Sequence, residues 1–197
     1  FALESHRDQL AAFPQTVWVS EEILRDLADT QTPQGIVAVI QKEEVGLPDF
    51  SQGKFLFLED VQDPGNVGTM IRTADAAGFT GVIVSDKSAD IYSLKTLRSM
   101  QGSHFHLPIY RMSLASFVEE AKKSNLPILA TTLSKESKDY RELSPLENFA
   151  LVMGNEGQGI SSVMAESADQ LVHIGMKGRA ESLNVAVAAG ILMFYFS

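Results

Sequence analysis

The 197-residue chain contains no cysteine, which excludes disulfides and thiolate metal sites and fits a cytosolic protein. It also has no long apolar run. The most apolar stretch, Val185–Phe196, is well short of the roughly 20 residues that a membrane-spanning helix needs. No segment resembles a signal peptide, although the chain begins with Phe1 and not with Met, so its natural start is expected to be missing. We therefore expect a cytoplasmic protein with no membrane contact.

Basic residues are scarce, with 16 Lys and Arg against 25 Asp and Glu and a net charge of −9. This balance argues against a general polyanion binder, because nucleic-acid-binding proteins usually carry a basic surface. Any contact with nucleic acid must come from a local patch. The candidates are Arg72, Lys87, Lys95, Arg98, Lys177 and Arg179. Ordinary solvated charge is the alternative, and we favour it for Lys87 and Lys95 taken alone.

Residues 1–46 have a different pattern from the rest of the chain. Ser20–Leu27 predicts a helix with a Ser N-cap and early acidic residues. Thr32–Gly35 predicts a turn, and Ile36–Ile40 predicts a strand. These elements are too few for an independent core, so we interpret them as the end of a truncated domain. Lys42–Gly53, with one proline and two glycines, is the predicted linker.

From Lys54 onward, apolar strands alternate with helical patterns. The predicted strands are Phe55–Leu58, Gly81–Val84, His106–Tyr110, Pro127–Thr132, Phe149–Met153 and Gln170–Ile174. The predicted helices are Val67–Ala77, Tyr92–Met100, one capped by Ser113 and running to Lys123, Ser161–Glu166, and a last one that begins at Ser182. This alternation predicts an α/β fold with a mostly parallel sheet and helices on both faces.

Three loops combine glycines with polar side chains that have no packing use. They are Asp63–Arg72, Gly154–Gly159 and Lys177–Asn184, and the pattern places each after a strand. In open α/β sheets, ligands bind beyond the carboxyl ends of the strands, so we expect one assembled site for a small polar ligand with an adenine or ribose. The middle loop has the order G-x-x-G-x-G. It is neither a dinucleotide fingerprint nor a P-loop, which disfavours a nicotinamide cofactor.

Single side chains in these loops allow two interpretations each. Glu156 points at the ligand, or it caps the helix near Ser161. Asn66 presents an amide to the ligand or caps its helix, and the two are equally favoured. Arg72 belongs to the site, or it forms a surface pair with Asp75 worth about 0.3 kcal/mol.

Ser182 and Asn184 are both suited to cap the final helix, where a Ser can also hold an anion or a polar substrate. His104 and His106 would share one face of a strand, which could hint at a metal. With no cysteine and no nearby acidic pair, we expect no metal site. No Ser-His-Asp arrangement is discernible.

Taken together and in order, the three loops closely resemble the signature motifs of the SpoU/TrmH-type RNA ribose 2′-O-methyltransferases of the SPOUT superfamily. The resemblance covers about Lys54 to Ser197 and rests on Asp63–Gly68 with Arg72, on Gly154–Gly157 and on Ser182–Ala186. It differs at Gly175, where the family usually has proline. Residues 1–46 resemble the end of a ribosomal-protein-L30e-like RNA-binding domain, and residues 47–197 would form the SPOUT domain.

The resemblance implies a C-terminal trefoil knot and a homodimer with composite active sites. It implies a metal-free transfer of a methyl group from S-adenosylmethionine to a ribose 2′-hydroxyl of RNA, with ribosomal RNA preferred and transfer RNA possible. The implied catalytic residues are Asn66, Arg72, Glu156, Ser182 and Asn184. The implied cofactor-binding residues are Thr132, Gly154, Asn155, Gly157, Ile174, Met176, Ser182 and Leu183.

Three alternatives stay open. Arg72 could act as the base, as the family suggests, or stay charged and steer a phosphate and the developing oxyanion. The chain could be a catalytically silent RNA-binding protein on the same fold. It could also be a different nucleotide-dependent enzyme on a doubly wound sheet.

Overall fold

The computed structural model describes residues 1–28, 30, 32–42 and 45–197. The chain divides into two compact units, Phe1–Glu44 and Val45–Ser197. Within the described residues, no helix is long and apolar enough to cross a membrane.

The first unit contains a short 3₁₀ helix at Glu4–His6 and the helix α1, Glu21–Ala28. Helix α1 follows Ser20 as predicted, and the Ser20 hydroxyl accepts a hydrogen bond from the N–H of Ile23 at 3.4 Å. Leu24 is the buried residue of this helix. The Arg7 guanidinium lies 4.6 Å from the centre of the Trp18 ring.

Two predictions about this part of the chain are corrected. The strand Ile36–Ile40 does not form. Within the described chain, Ile36 is the one residue of this segment that makes a β-bridge, and its partner is Ala2. An extended segment becomes a strand only where a neighbour pairs along it. Of the predicted linker Lys42–Gly53, residues 43 and 44 lie outside the described residues, and Phe50 is 3% exposed in the core of the second unit.

The second unit is built on one sheet of seven strands, and every pair of neighbours in it is parallel. The strands are β1 Lys54–Leu58, β2 Gly81–Val84, β3 Ile109–Arg111, β4 Ile128–Thr131, β5 Lys138–Asp139, β6 Phe149–Met153 and β7 Gln170–His173. Their order across the sheet is β3-β2-β1-β6-β4-β7-β5. The carboxyl ends of β4, β6 and β7 therefore lie side by side.

Five helices cover the two faces of this sheet. They are α2 Pro64–Ala76, α3 Leu94–Met100, α4 Leu114–Lys123, α5 Ser162–Ser167 and α6 Val185–Phe196. Alternate residues of β1 point to opposite faces, so Leu56 packs in the core beneath α2 and α6, whereas Phe57 packs in the core beneath α4 and α5. The predicted parallel sheet with helices on both faces is confirmed, and the trefoil knot stays a prediction.

Helix α2 begins three residues before its predicted start. Asp63 is the N-cap and accepts from the N–H of Asn66 at 3.0 Å, and Pro64 occupies the first turn, where its missing N–H costs nothing. The Asn66 side chain is thus not a cap. Gly68 lies against α3, since a Cβ there would come within 2.6 Å of the Thr96 carbonyl oxygen.

Two other boundaries differ from prediction for local reasons. Helix α6 begins at Val185 because Asn184, and not Ser182, caps it. Strand β3 begins at Ile109, because Ser103–Phe105 forms a 3₁₀ turn before it. His104 and His106 therefore do not share a strand face.

Candidate active site

A cleft of about 500 Å³ lies at the carboxyl ends of β4, β6 and β7. Small-molecule sites typically have this size, roughly 300–1,000 Å³. Its walls come from the residues after β4, from Gly154–Gly159, from Ile174, Met176 and Glu181–Leu183, and from α6. All eight residues that the resemblance assigns to the cofactor line it: Thr132, Gly154, Asn155, Gly157, Ile174, Met176, Ser182 and Leu183.

The lining suits a ligand that is part apolar and positively charged. Val185, Ala188 and Leu192 of α6 supply an apolar wall, whereas Glu156 and Glu181 are the charged residues in the lining. No Lys or Arg of the described chain is among the lining residues. No hydrogen bond joins the backbone of Ser182 or Leu183 to another described residue, so these groups are available to a ligand. S-adenosylmethionine, a sulfonium with an adenosine, fits such a lining.

The loop Gly154–Gly159 is held closed by its own atoms. Asn155 and Gly159 exchange two backbone hydrogen bonds, of 3.0 and 2.9 Å. The Asn155 side-chain oxygen accepts from the N–H groups of Gly157 and Gln158, and its amide donates to the Asp60 carbonyl at 2.9 Å. The Asn155 side chain therefore fixes the loop, which is how this residue shapes the cleft.

A set of three side chains that we call the polar chain, Glu156, Asn66 and Asn184, borders the cleft. The Glu156 carboxylate accepts from the backbone N–H groups of Gln62 and Asp63, at 3.2 and 3.1 Å, and from the Asn66 amide at 3.0 Å. The Asn184 amide donates to the Asn66 side-chain oxygen at 3.1 Å. One residue from each of the three loops thus enters one hydrogen-bonded unit.

Asn184 has a second task at the start of α6. Its side-chain oxygen accepts from the N–H groups of Ala186 and Val187, at 2.9 and 3.3 Å. An Asn at the N-cap satisfies donors that the helix itself leaves unpaired. The cap also fixes the rotation of the amide, so that its nitrogen faces Asn66.

Hydrogen bonding decides the charge of Glu156. Partial burial disfavours the ionised form, but the amide of Asn66 and the backbone N–H groups outweigh it and hold the pKa of Glu156 below its usual value. Glu156 is therefore an ionised acceptor at neutral pH and not a proton donor. It does not cap the helix near Ser161, since Ser161 itself caps α5.

Arg72 and Ser182 lie outside the polar chain. Ser182 is exposed and lines the cleft. Arg72 is exposed on α2 and is not part of the cleft lining, and its guanidinium makes no hydrogen bond or ion pair with any residue in the described part of the chain. The alternative pair with Asp75 does not form, because Asp75 lies 3.3 Å from the His106 ring nitrogen.

Sequence reasoning missed the two acids that follow β1. Glu59 is 4% exposed and accepts from the N–H of Ser161 at 3.2 Å. Asp60 has a φ of +54°, rare for a residue with a side chain, and receives hydrogen bonds from Ser85 and Asn155. Two acids directly after a buried strand, at the carboxyl edge of the sheet, were the available signal. Among the described residues, no group of three or more His, Asp or Glu could hold a metal.

Comparison with known proteins gives consistent matches. The model of the SpoU rRNA Methylase family matches residues 53–194. The 23S rRNA (guanosine(2553)-2′-O)-methyltransferase RlmP of Bacillus subtilis is 45% identical over 181 residues, which is 92% of this chain and 72% of that protein.

Solved structures agree with the sequence match. The AdoMet-bound rRNA methyltransferase of Sinorhizobium meliloti has a TM-score of 0.87 and 33% identity over 98% of this chain and 77% of that one. The SpoU methyltransferase AviRb of Streptomyces viridochromogenes, in complex with AdoMet, has a TM-score of 0.82 and 30% identity, over 98% and 77%. The predicted family is thus confirmed: this chain belongs to the SpoU rRNA methylase family of S-adenosylmethionine-dependent RNA methyltransferases.

Proposed function

We propose that this chain methylates a ribose 2′-hydroxyl of ribosomal RNA in the cytoplasm, with the methyl donor held in the cleft and the acceptor ordered by the polar chain. The observation that carries this proposal is the polar chain itself, because it joins all three motif loops beside a cleft of suitable size. The rRNA substrate is favoured by the 45% identity to an enzyme named for 23S rRNA.

The cleft residues would bind and orient the donor. When bound, S-adenosylmethionine supplies an activated methyl group on its sulfonium. The backbone around Thr132, Gly154 and Leu183 would contact the adenosine, and the apolar wall of α6 would exclude water. Glu156 and Glu181 suit the positive charge of the donor.

The polar chain would place the ribose. Glu156 already accepts from three donors, and a carboxylate with a lowered pKa is a weak base, so its role is to orient Asn66. Asn66 and Asn184, each with its amide fixed by a neighbour, would present donors and acceptors to the sugar and its phosphate. Ser182 would hold the ribose or the donor at the mouth of the cleft. Such positioning supplies much of the rate of a transfer between two bound molecules.

Arg72 would act as a charged clamp on phosphate and on the oxyanion that develops as the hydroxyl loses its proton. A guanidinium is effectively always protonated, which favours the clamp over the base. The methylation rates of the wild type and of Arg72 variants, measured across a series of pH values, distinguish the two roles. A residual rate that rises steeply with pH in both Arg72→Lys and Arg72→Ala would favour the base.

We place this chemistry in a homodimer. Arg72 does not reach the cleft of its own chain, and α6, which packs beside α2, exposes the apolar side chains of Val187, Ile191 and Phe194 on one face. A second copy of the chain would cover this face and bring its own Arg72 to the cleft. At a cofactor concentration too low to fill the Gly154→Ala cleft, mixing Arg72→Ala subunits with Gly154→Ala subunits should then restore activity, because mixed dimers hold one intact composite site. Two inactive variants that stay inactive when mixed would reject the shared site.

The remaining assignments concern RNA contact outside the site. We assign residues 1–46 to the end of an L30e-like RNA-binding domain and 47–197 to the SPOUT domain, a division compatible with the two compact units. Lys87 and Lys95 form ion pairs with Asp60 and Asp63, as solvated surface charges do. Lys177 and Arg179 are exposed in the segment that leads into the cleft lining, and they are the preferred candidates for binding RNA.

Calorimetry and a methylation assay test the proposal together. The purified chain should bind S-adenosylmethionine with measurable heat and transfer its radiolabelled methyl to ribosomal RNA from a strain lacking the gene, at a ribose 2′-oxygen. Transfer to tRNA alone would redirect the proposal to transfer RNA. No heat of binding would favour the silent RNA-binding protein, and co-purified NAD or ATP would favour another nucleotide-dependent enzyme.

A further inference from the structure

Gly175 lies between two residues of the cleft lining, Ile174 and Met176, but does not itself line the cleft. Its backbone N–H donates to the carboxylate of Asp139 at 3.2 Å. A proline at this position, which the sequence motif would lead one to expect, has no N–H and could not make this bond. The N–H of Gly175 therefore joins the cleft loop to Asp139, which is not among the residues that line the cleft.

Asp139 is itself held in place by Arg141. Arg141 donates to both of its carboxylate oxygens, from Nε and Nη2, at 2.7 Å each. This two-point geometry fixes the plane of the carboxylate as a single contact would not. The Asp139 side chain is only 14% exposed although Arg141 is 49% exposed, and Arg141 followed by the N–H of Gly175 keeps the pKa of Asp139 well below its usual value.

The turn that carries Arg141 is anchored to α6. The Tyr195 hydroxyl of α6 donates to the Leu143 carbonyl at 3.0 Å, and its ring packs edge-on against Tyr140. The two-residue strand β5 ends at Asp139 and pairs with β7, with Asp139 opposite His173. The Asp139 side chain thus contacts the segment that follows β7, beyond the last backbone pair of the two strands.

The limited space around Gly175 makes the side chain allowed at position 175 depend on the side chain at position 139. A Cβ on Gly175 would come within 2.5 Å of the nearer Asp139 oxygen and 3.4 Å of Arg141 Nη2. Any side chain at 175 must therefore displace the carboxylate, although the backbone conformation there is not of the left-handed kind that demands glycine. Residues 139 and 175 can change together more easily than either can change alone.

We propose that Asp139 and Arg141 form a clamp on Gly175 that positions Ile174 and Met176 against the methyl donor, in place of the stiffness that a proline would supply. The clamp makes Asp139 and Arg141 positioning residues for cofactor binding. This inference rests on the proposed function only in naming S-adenosylmethionine as the ligand of the cleft.

A double-mutant cycle on the full chain tests the clamp, with Asp139→Ala, Gly175→Ala and the double variant compared by calorimetry with S-adenosylmethionine. We expect each single change to raise the Kd about tenfold, through a lost charged hydrogen bond or a displaced carboxylate. At saturating cofactor, kcat should stay within about twofold of wild type. The double variant should bind no more weakly than the weaker single variant, because the added methyl fills the space that the carboxylate vacates.

Glu120→Ala is the matched control, since it breaks an exposed ion pair with Lys123 on α4, outside the cleft lining. Wild-type affinity in Asp139→Ala, or effects that simply add in the double variant, would overturn the clamp.

Hydrogen exchange at the Gly175 amide gives a readout independent of the ligand. Faster exchange in Asp139→Ala than in Glu120→Ala supports the clamp, and equal exchange rejects it. If the wild type binds no S-adenosylmethionine, the proposed function fails while the exchange measurement still decides the clamp.

Discussion

The cleft and the polar chain beside it share Glu156 and come from the same loops, but they use different kinds of chemical groups. Backbone groups and apolar side chains line much of the cleft, whereas the polar chain consists of three side chains with fixed hydrogen-bond partners. A backbone lining tolerates changes of side chain as long as the loops keep their path. The polar chain does not, since each amide or carboxylate is oriented by the next. We therefore expect changes in the cleft to alter affinity and changes in the polar chain to alter turnover.

The largest effect is expected at Arg72, which belongs to neither region within one chain. Arg72→Ala should lower kcat about a thousandfold, because electrostatic stabilisation of a developing charge is lost, and should leave the Kd for S-adenosylmethionine unchanged. Thermal unfolding should hardly change, since the exposed guanidinium has no partner among the described residues. Steady-state kinetics and calorimetry give both numbers. A rise in Kd of the same size would place Arg72 in the cleft instead.

Glu156 tests whether the polar chain serves turnover. Glu156→Ala should lower kcat about a hundredfold by releasing the Asn66 amide, with a smaller change in cofactor affinity. Glu156→Gln should fall between the alanine variant and wild type, since an amide oxygen can still accept from a backbone N–H. Equal losses in affinity and kcat would show that the cleft and the polar chain do not have separate functions.

Gly154 is the corresponding test of the cleft. A Cβ on Gly154 would overlap the carbonyl carbon of Gly159, so Gly154→Ala should open the loop and raise the Kd for S-adenosylmethionine about thirtyfold. Gly178→Ala is the matched control, because a Cβ there would meet nothing within 4 Å and the residue is not part of the cleft lining. Calorimetry on the two variants should separate them. Similar affinities would mean that the loop adapts.

Asn184 allows its two tasks to be separated. Asn184→Ala should cost about 1 kcal/mol of unfolding free energy through the lost cap, and should lower kcat about tenfold through the loss of its bond to Asn66. Asn184→Asp keeps the capping oxygen and replaces the donor with an acceptor. It should recover the stability but not the turnover. Recovery of both would show that capping alone matters.

The smallest effect concerns the pH dependence of stability. The folded state lowers the pKa of Glu156 below its ordinary 4.5, so this group stabilises the fold above that pH and loses its contribution as the pH falls through the lowered pKa. The difference in unfolding free energy between wild type and Glu156→Gln should be under about 1 kcal/mol, because the residue is exposed. It should shrink on acidification. A difference that grows in acid would contradict the assigned charge.

Local sequence patterns were sufficient to predict the longer strands of the sheet. β2 and β6 occur where predicted, because buried parallel strands are continuous apolar runs with clear ends. The family, the enzyme class and the cofactor are confirmed as well, since they depended on motifs whose order is visible in one dimension. The two-residue strand β5 was not predicted, because so short a segment has no period of its own and forms only where β7 offers an edge.

The roles of single side chains were harder to predict, and Asn66 explains why. Its sequence context fits a helix cap as well as a site residue, and Asp63 took the cap because it precedes the proline that starts the helix. The same competition placed the cap of α6 at Asn184 and not at Ser182, so that the helix begins at Val185. Neighbouring polar residues at a helix start have similar capping energies, so their choice depends on contacts with distant loops.

By itself, the order of residues determined which loops come together at the cleft and that an α/β sheet supports them, because glycine, asparagine and apolar runs act over a few neighbours. Only the tertiary structure decided that Glu156, Asn66 and Asn184 bond to one another, that Arg72 stands apart from its own cleft, and that Asp139 holds Gly175. Those contacts join atoms that are separated by tens of residues, and a hydrogen bond requires a distance and a direction that no local pattern encodes.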